Sequence, residues 1–259
     1  MRSKATDMPP IPFPKKKVSR DVALEELRIL EQTYPRATTA LEHHNDFELL
    51  ISVILSAQTT DARVNVTTPA LFAKYPTAEK LAAAEQSDVE KIIKSTGFFR
   101  MKARNIINCA RDLVERFRGL VPEKREDLES LAGVGRKTAS VVMANAFEEP
   151  ALAVDTHVFR VSHRLGLTLG KNPRQVEDDV TALVPSEKWG LATHWLILHG
   201  RAICKAPTPQ CGVCPVNGLC PTPEIIAKLA KTRAVHRLAG GSEVGARRQK
   251  RRASRVKKR

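Results

Sequence analysis

Nowhere in the 259 residues does an apolar run approach the roughly 20 residues that a helix needs to cross a bilayer. The N-terminus also lacks the continuous apolar segment of a secretory leader. A soluble, cytoplasmic protein with no membrane role is expected. No stretch reads as a β-hairpin, which argues against a sandwich or barrel. Cysteine is scarce, at five residues. Without an export signal these thiols are expected in a reducing compartment, where clustered thiols bind metal more often than they pair as disulfides.

Positive charge is abundant, but it is not spread evenly. The net charge is +15, of which residues 1–20 carry +5 and residues 231–259 carry +11, so the 210 residues between them sum to −1. Basic tails of this kind suggest a polyanionic partner. A nearly neutral body must then grip that partner through local patches and oriented N–H groups rather than a global field. Four prolines and a lysine run in residues 8–17 read as disorder, so residues 1–20 are expected to be a flexible basic tail. Residues 227–259 are expected to form a second one, ending in a block of like charge too dense to fold alone.

Between the tails the apolar spacing is helical. Leu24, Leu27, Ile29 and Leu30 mark a first helix, and residues 47–55 are almost continuously apolar, as a central buried helix would be. Ala103, Ile106, Ile107, Ala110, Leu113, Val114 and Phe117 follow three-and-four spacing. Cys109 lies on the same apolar side and reads as a small buried hydrophobe. Shorter helices are predicted at 78–84, 88–95 and 125–131, with others after 157, 175 and 188. The class is all-α.

Chemistry concentrates at residues 131–160. A helix is predicted to end near Leu131, a hairpin to occupy Ala132 to Gly135, and a second helix to run from Arg136 to about Phe147. Glycines on either side of Val134 let the backbone take positive φ and expose successive N–H groups; with the helix N-terminus they make a seat for a phosphate. Gly133, Val134, Gly135 and Arg136 are therefore candidate nucleic-acid contacts. Lys137 stands at the same positive end, where the helix dipole opposes a cation, so its amine is a candidate nucleophile. The helix from Lys137 to Phe147 climbs about 15 Å, and an extended return from Pro150 to Asp155 covers about 17 Å, which can bring Asp155 back beside Lys137. Read singly, Lys137 can be a solvated lysine and Asp155 a plain helix cap.

Four cysteines form a second constellation, Cys204-x6-Cys211-x2-Cys214-x5-Cys220. Prolines and glycines forbid a long helix there, and apolar residues are too few to order the loop, so a metal centre must supply the missing core. Zinc sites generally pair their ligands in short knuckles, whereas this spacing has one short pair and suits a cubane better, with each iron on a separate thiolate.

The motifs Leu-x-Gly-Val-Gly-Arg-Lys-Thr-Ala, Val-Asp-Thr-His-Val-Phe-Arg-Val, Leu-Ser-Ala-Gln-x-Thr-Asp at 55–61 and His-Gly-Arg before the cysteines together resemble the helix-hairpin-helix, Gly-Pro-Asp family of DNA glycosylases, over about residues 21–226. Ala132 departs from the family, which usually has proline there. The resemblance implies two helical lobes with DNA in the cleft between them, one lobe at 39–149 and the other combining 21–38 with 150–226. It implies Lys137 as the nucleophile at C1′, Asp155 as its assistant, and a 4Fe-4S cluster on Cys204, Cys211, Cys214 and Cys220, since the family's cluster has this spacing. It implies that Gln58 and Phe98 enter the gap left by a flipped nucleotide, although by residue type alone Gln58 can be a loop cap and Phe98 or Phe99 core. The expected enzyme is a monomeric glycosylase and abasic-site lyase. Its expected partner is double-stranded DNA containing damaged pyrimidines or abasic sites, which in a bacterium places it at the nucleoid. Two alternatives are an adenine-specific mismatch glycosylase, which uses a glutamate on the buried helix where Ser52 to Leu55 offers no carboxylate, and a non-catalytic iron-sulfur DNA-binding protein.

Nine of the last 13 residues are Lys or Arg. If about four of them touch DNA at once, deleting residues 245–259 should flatten the slope of log affinity against log salt by about 3 to 4 units. Equal slopes for full-length and truncated protein would show an inert tail or an import signal instead.

Overall fold

The computed structural model describes residues 11–232, and among these the all-α expectation holds, with no strand. Eleven helices are bounded as follows: α1 (Arg20–Thr33), α2 (Asp46–Leu55), α3 (Asp61–Lys74), α4 (Ala78–Ala82), α5 (Gln86–Ile93), α6 (Phe99–Phe117), α7 (Arg125–Glu129), α8 (Arg136–Ala146), α9 (Thr156–Leu165), α10 (Pro173–Thr181) and α11 (Trp189–Ala202). Residues 222–232 are also helical. The starts are written locally: Ser19, Asn45, Thr60, Thr77, Asp155 and Asn172 each accept a backbone N–H into the first turn, satisfying a donor that the helix itself leaves open.

Two apolar cores form. One gathers side chains from Leu41 to Val142 around α2, where Phe47 and every residue from Leu49 to Leu55 are buried. Each fully buried Leu, Ile or Val there contributes about 1.5–3 kcal/mol of transfer free energy. The other joins Ala23, Leu27, Leu30 and Ala37 to Leu152 and the residues from Val158 to Val216. The chain thus leaves the first core after α8 and enters the second at Leu152, while α8 packs on α2 on one side and α11 on the other. That arrangement sets the ends of α8 and α9 at the seam.

Three expectations need correction. Helix α3 was not expected, because its inward positions are Val64, Thr67, Thr68 and Leu71 and it contains Pro69. Two threonines in four inward positions blur the apolar stripe; their hydroxyls bond back to Arg63 O and Val64 O, so burial costs little. Residues 11–19 are not a free tail. Phe13 stacks on His163 with ring centroids 4.5 Å apart, Lys17 pairs with Asp179 at 2.6 Å, and Val18 N–H donates to Gly166 O at 3.0 Å. Likewise residues 227–232 continue the helix that begins at 222 rather than opening a tail. Expectations for residues 1–10 and 233–259 lie outside the described residues.

Candidate active site at the seam between two helical cores

Lys137 occupies the first turn of α8 and is exposed, and Asp155 caps α9 and is half-buried. Both line one open cleft of about 1020 Å³, together with Ser56 to Ala62, His157 and Arg201. Both also line a narrower pocket of about 90 Å³ that runs inward between the cores past Ser140, Asn145, Thr193 and His194. The chain brings them together through a link whose middle is buried at Ala151, Leu152 and Ala153; Ala153 N–H donates to Thr193 Oγ1 at 3.0 Å, anchoring the return to α11.

Asp155 is a helix cap in fact, with its Oδ1 accepting the Val158 N–H at 2.7 Å. The cap engages one carboxylate oxygen and fixes the side chain's direction, and Asp155 is at the same time part of the cleft lining. A capping role and a chemical one are compatible here.

The hairpin departs from the sequence reading at one glycine. Gly133 has φ +79°, and a Cβ there would meet Asn105 Cβ at 2.9 Å, so both backbone and space demand glycine. Gly135 is extended, with φ −104° and ψ 178°, so its conformation is open to any residue. A Cβ on it would meet nothing within 4 Å. What glycine keeps at 135 is open space in front of the α8 N-terminus. Val134 is buried in the first core, so it shapes the hairpin from below. The Arg136 guanidinium makes a two-pronged ion pair with Glu177 of α10, at 2.9 and 3.0 Å, which ties the hairpin to the other core. Ala132, where the related family has proline, uses the N–H that a proline would lack: it donates to Asp112 Oδ2 at 3.1 Å.

Gln58 and Phe98 project from neighbouring loops. Both have positive φ, 54° and 46°, which is rare for residues other than glycine. Gln58 is exposed on the cleft wall. Phe98 is 62% exposed, whereas Phe99 packs on the first core. Of the two rings, Phe98 is the exposed one and Phe99 the core one.

Sequence reading did not single out several polar residues of the seam. Arg201 pairs with Asp61 at 2.8 Å across the cleft mouth. His194 Nε2 lies 3.1 Å from Asn145 Oδ1 in the inner pocket. Burial, and secondarily Arg201, push this imidazole down to about 4, so it is neutral at physiological pH. Arg201 and Asp61 stood inside two of the family motifs, which was the available signal. His194 and Asn145 carried none, since each sits alone on a helix.

The four cysteines line a common pocket with Leu165, His199 and Thr222. None is in a disulfide. Among the described residues no three His, Cys, Asp or Glu side chains converge as a single ion would require, whereas a cubane spreads its thiolates over separate irons. Two guanidiniums stand beside Cys204, and among the described residues neither is in an ion pair: Arg160 donates to Cys204 O at 3.2 Å, and Arg164 donates to Lys205 O and Ala206 O at 2.7 and 2.6 Å, with Cys204 Sγ at 3.6 Å. Buried positive charge next to four thiols fits a group that holds those thiols as anions. Burial raises the Cys211 and Cys214 thiols and pushes Cys220 up to about 12, so such a group must displace protons to bind.

Comparison with known proteins bears on this arrangement. HhH-GPD superfamily base excision DNA repair proteins match residues 51–186. The endonuclease III of Synechocystis sp. is 49% identical over 201 residues, which cover 77% of this chain and 92% of that protein. That of Escherichia coli is 48% identical over 200 residues, 76% and 93% of the two chains. Among solved structures, a non-covalent endonuclease III–DNA complex superposes with a TM-score of 0.78 at 42% identity, covering 82% of this chain and 99% of that one. A trapped endonuclease III–DNA covalent intermediate gives 0.76 at 43% identity, covering 79% and 97%.

The two hairpin glycines should separate under substitution. Gly133→Ala should destabilise the fold by about 1–3 kcal/mol, from strain at positive φ and the Asn105 contact. Gly135→Ala should leave thermal unfolding nearly unchanged yet weaken duplex DNA binding about tenfold, roughly one charge-assisted hydrogen bond. Equal thermal losses would show that residue 135 serves only the fold.

Proposed function

The chain belongs to the HhH-GPD superfamily of base excision DNA repair proteins and is a DNA glycosylase/lyase, and we propose that it removes oxidised pyrimidines from duplex DNA with Lys137 as nucleophile and Asp155 as its assistant. One observation carries this reading: an amine and a carboxylate, brought from the ends of helices in different cores, line the same cleft. Beside them the α8 N-terminus and the open space at Gly135 form a seat for a backbone phosphate.

The proposed chemistry uses these groups in order. A damaged nucleotide is turned out of the duplex into the cleft. Lys137 Nζ attacks C1′ as the C1′–base bond breaks, and the base leaves with the electron pair. Asp155 takes a proton from the attacking amine and stabilises positive charge developing on the sugar. The sugar ring opens to an imine between C1′ and Nζ. Loss of a C2′ proton then expels the 3′ phosphate by β-elimination, which breaks the strand, and water releases Lys137. Neutral His194 beside Asn145 gives the inner pocket hydrogen-bonding groups without adding to the positive charge of Lys137 and of Arg201, which Asp61 pairs.

For the cofactor we propose a 4Fe-4S cluster held by Cys204, Cys211, Cys214 and Cys220. It would supply a core to residues 204–220, which otherwise contribute only Cys204 and Val216 to the fully buried set of the second core. A monomeric enzyme at the cytoplasmic DNA completes the proposal.

Borohydride reduction of a reaction on an abasic duplex should trap a protein–DNA adduct in the wild type and none in Lys137→Ala; an undiminished adduct in that variant rejects Lys137. Asp155→Asn should retain duplex binding and slow single-turnover base release by roughly 10²–10⁴-fold, the usual worth of a positioned base. Unchanged release would leave Asp155 a cap alone. Elemental analysis should give about four irons and four sulfides per chain. One zinc per chain instead would overturn the cluster assignment, and Cys211→Ser should lower soluble yield as well as activity.

A further inference from the structure

Gln58 and Phe98 lie on different loops and have no bond between them, yet a single buried ammonium joins the loops that carry them. Lys102, in the first turns of α6, is 3% exposed. Its Nζ donates to Thr59 Oγ1 at 2.6 Å and to Thr96 O at 2.9 Å. Thr59 directly follows Gln58, and Thr96 precedes Phe98 by two residues. The Thr59 hydroxyl in turn donates to Thr96 O at 2.5 Å, which closes a three-membered bridge. Thr96 Oγ1 is itself held by Ile93 O at 2.8 Å, and Ser95 Oγ lies 3.1 Å from Thr67 Oγ1 of α3.

This is a costly way to join two loops. Lys102 has only neutral acceptors, and burial disfavours its charged form. A methionine of similar length would fill the space without desolvating a cation. Fold stability does not call for the charge. What the charge does is fix two loops whose exposed tips both hold a positive φ, a conformation that persists only where the surroundings over-determine it.

We propose that Lys102 is a positioning residue that clamps the Gln58 and Phe98 loops as one rigid pair, so that both side chains reach the space vacated by an extruded nucleotide without rearrangement on binding. The proposal rests on the reading of Gln58 and Phe98 as wedges, and it adds that their spacing is preset in the free protein. Pre-ordering matters because a loop that must be ordered on binding gives up affinity to do so.

The test uses the full-length protein and a duplex carrying a tetrahydrofuran abasic analogue, with 2-aminopurine in the opposite strand reporting on the filled gap. Four variants are compared with wild type: Phe98→Ala, Lys102→Met, Lys102→Arg and Thr59→Val. The Phe98→Ala variant tests the wedge itself. For Lys102→Met the expected result is thermal unfolding close to wild type, a preference for the abasic duplex over undamaged duplex reduced about tenfold, the scale set by strain at one such residue, and an altered 2-aminopurine signal. Base release from a thymine glycol in single-stranded DNA, where there is no gap to fill, should change far less. Thr59→Val removes the bridging hydroxyl while keeping the lysine, and should reproduce the binding defect if Lys102→Met fails to fold; Lys102→Arg should restore part of it. If Phe98→Ala loses discrimination while Lys102→Met and Thr59→Val keep it, the clamp is wrong and the wedges stand. If Phe98→Ala also behaves as wild type, the wedge reading fails, and the clamp with it.

Discussion

The 2.7 Å bond from the Val158 N–H to Asp155 Oδ1 is the constraint on which the site depends. A helix start needs an acceptor for its free N–H groups, and a carboxylate is among the best. Meeting that need orients Asp155 before any substrate arrives. The chain changes cores between α8 and α9, so the helix this bond caps is the first of the second core after that crossing. Under the proposed role of Asp155, folding and function ask for the same side chain in the same direction.

The seam around that pair combines apolar side chains such as Leu41, Val141, Ile197 and Leu198 with polar bonds that cross between the cores. Arg136 with Glu177, Arg201 with Asp61 and Asn145 with His194 all span the two cores. Exposed ion pairs contribute about 0–1 kcal/mol each, so their worth here lies more in registration than in stability. A cleft that must admit a bulky, charged duplex cannot be sealed with leucine. Directional bonds at its mouth keep the two helix ends in place while the surface between them stays wet and accessible.

Much of this was legible in the sequence, and the misses have physical causes. Helices α2 and α6 announced themselves because burial imposes periodicity, and the start of α8 at Arg136 followed from the hairpin read at Ala132 to Gly135. Helix α3 was hidden by Thr67 and Thr68, which are buried only because a helix lends them carbonyl partners. Residues 11–19 were misread because composition argues for disorder unless tertiary contacts intervene, as the Phe13–His163 stack does. Gly135 was credited with a φ it does not have; a pattern of two glycines does not say which is needed for conformation and which for room. Lys102 was invisible, since a lysine on an amphipathic helix normally faces water and only the fold shows that this one points beneath two loops.

The distribution of charge follows from the same division of labour. A strongly basic body would bind undamaged and damaged duplex alike, because phosphate neutralisation carries no information about the base. Here residues 21–230 sum to −1, so within the body a phosphate would be met mainly by oriented N–H groups such as those that open α8, which act only at short range and in one register. Discrimination then falls to shape: whether a nucleotide can leave the stack and whether the gap can be filled. In the proposed reading Gln58 and Phe98 fill that gap without charge, a contribution insensitive to salt, whereas phosphate contacts made by the basic ends would weaken as salt rises. On that proposal affinity and selectivity fall to different parts of one chain, and ionic strength changes the first far more than the second.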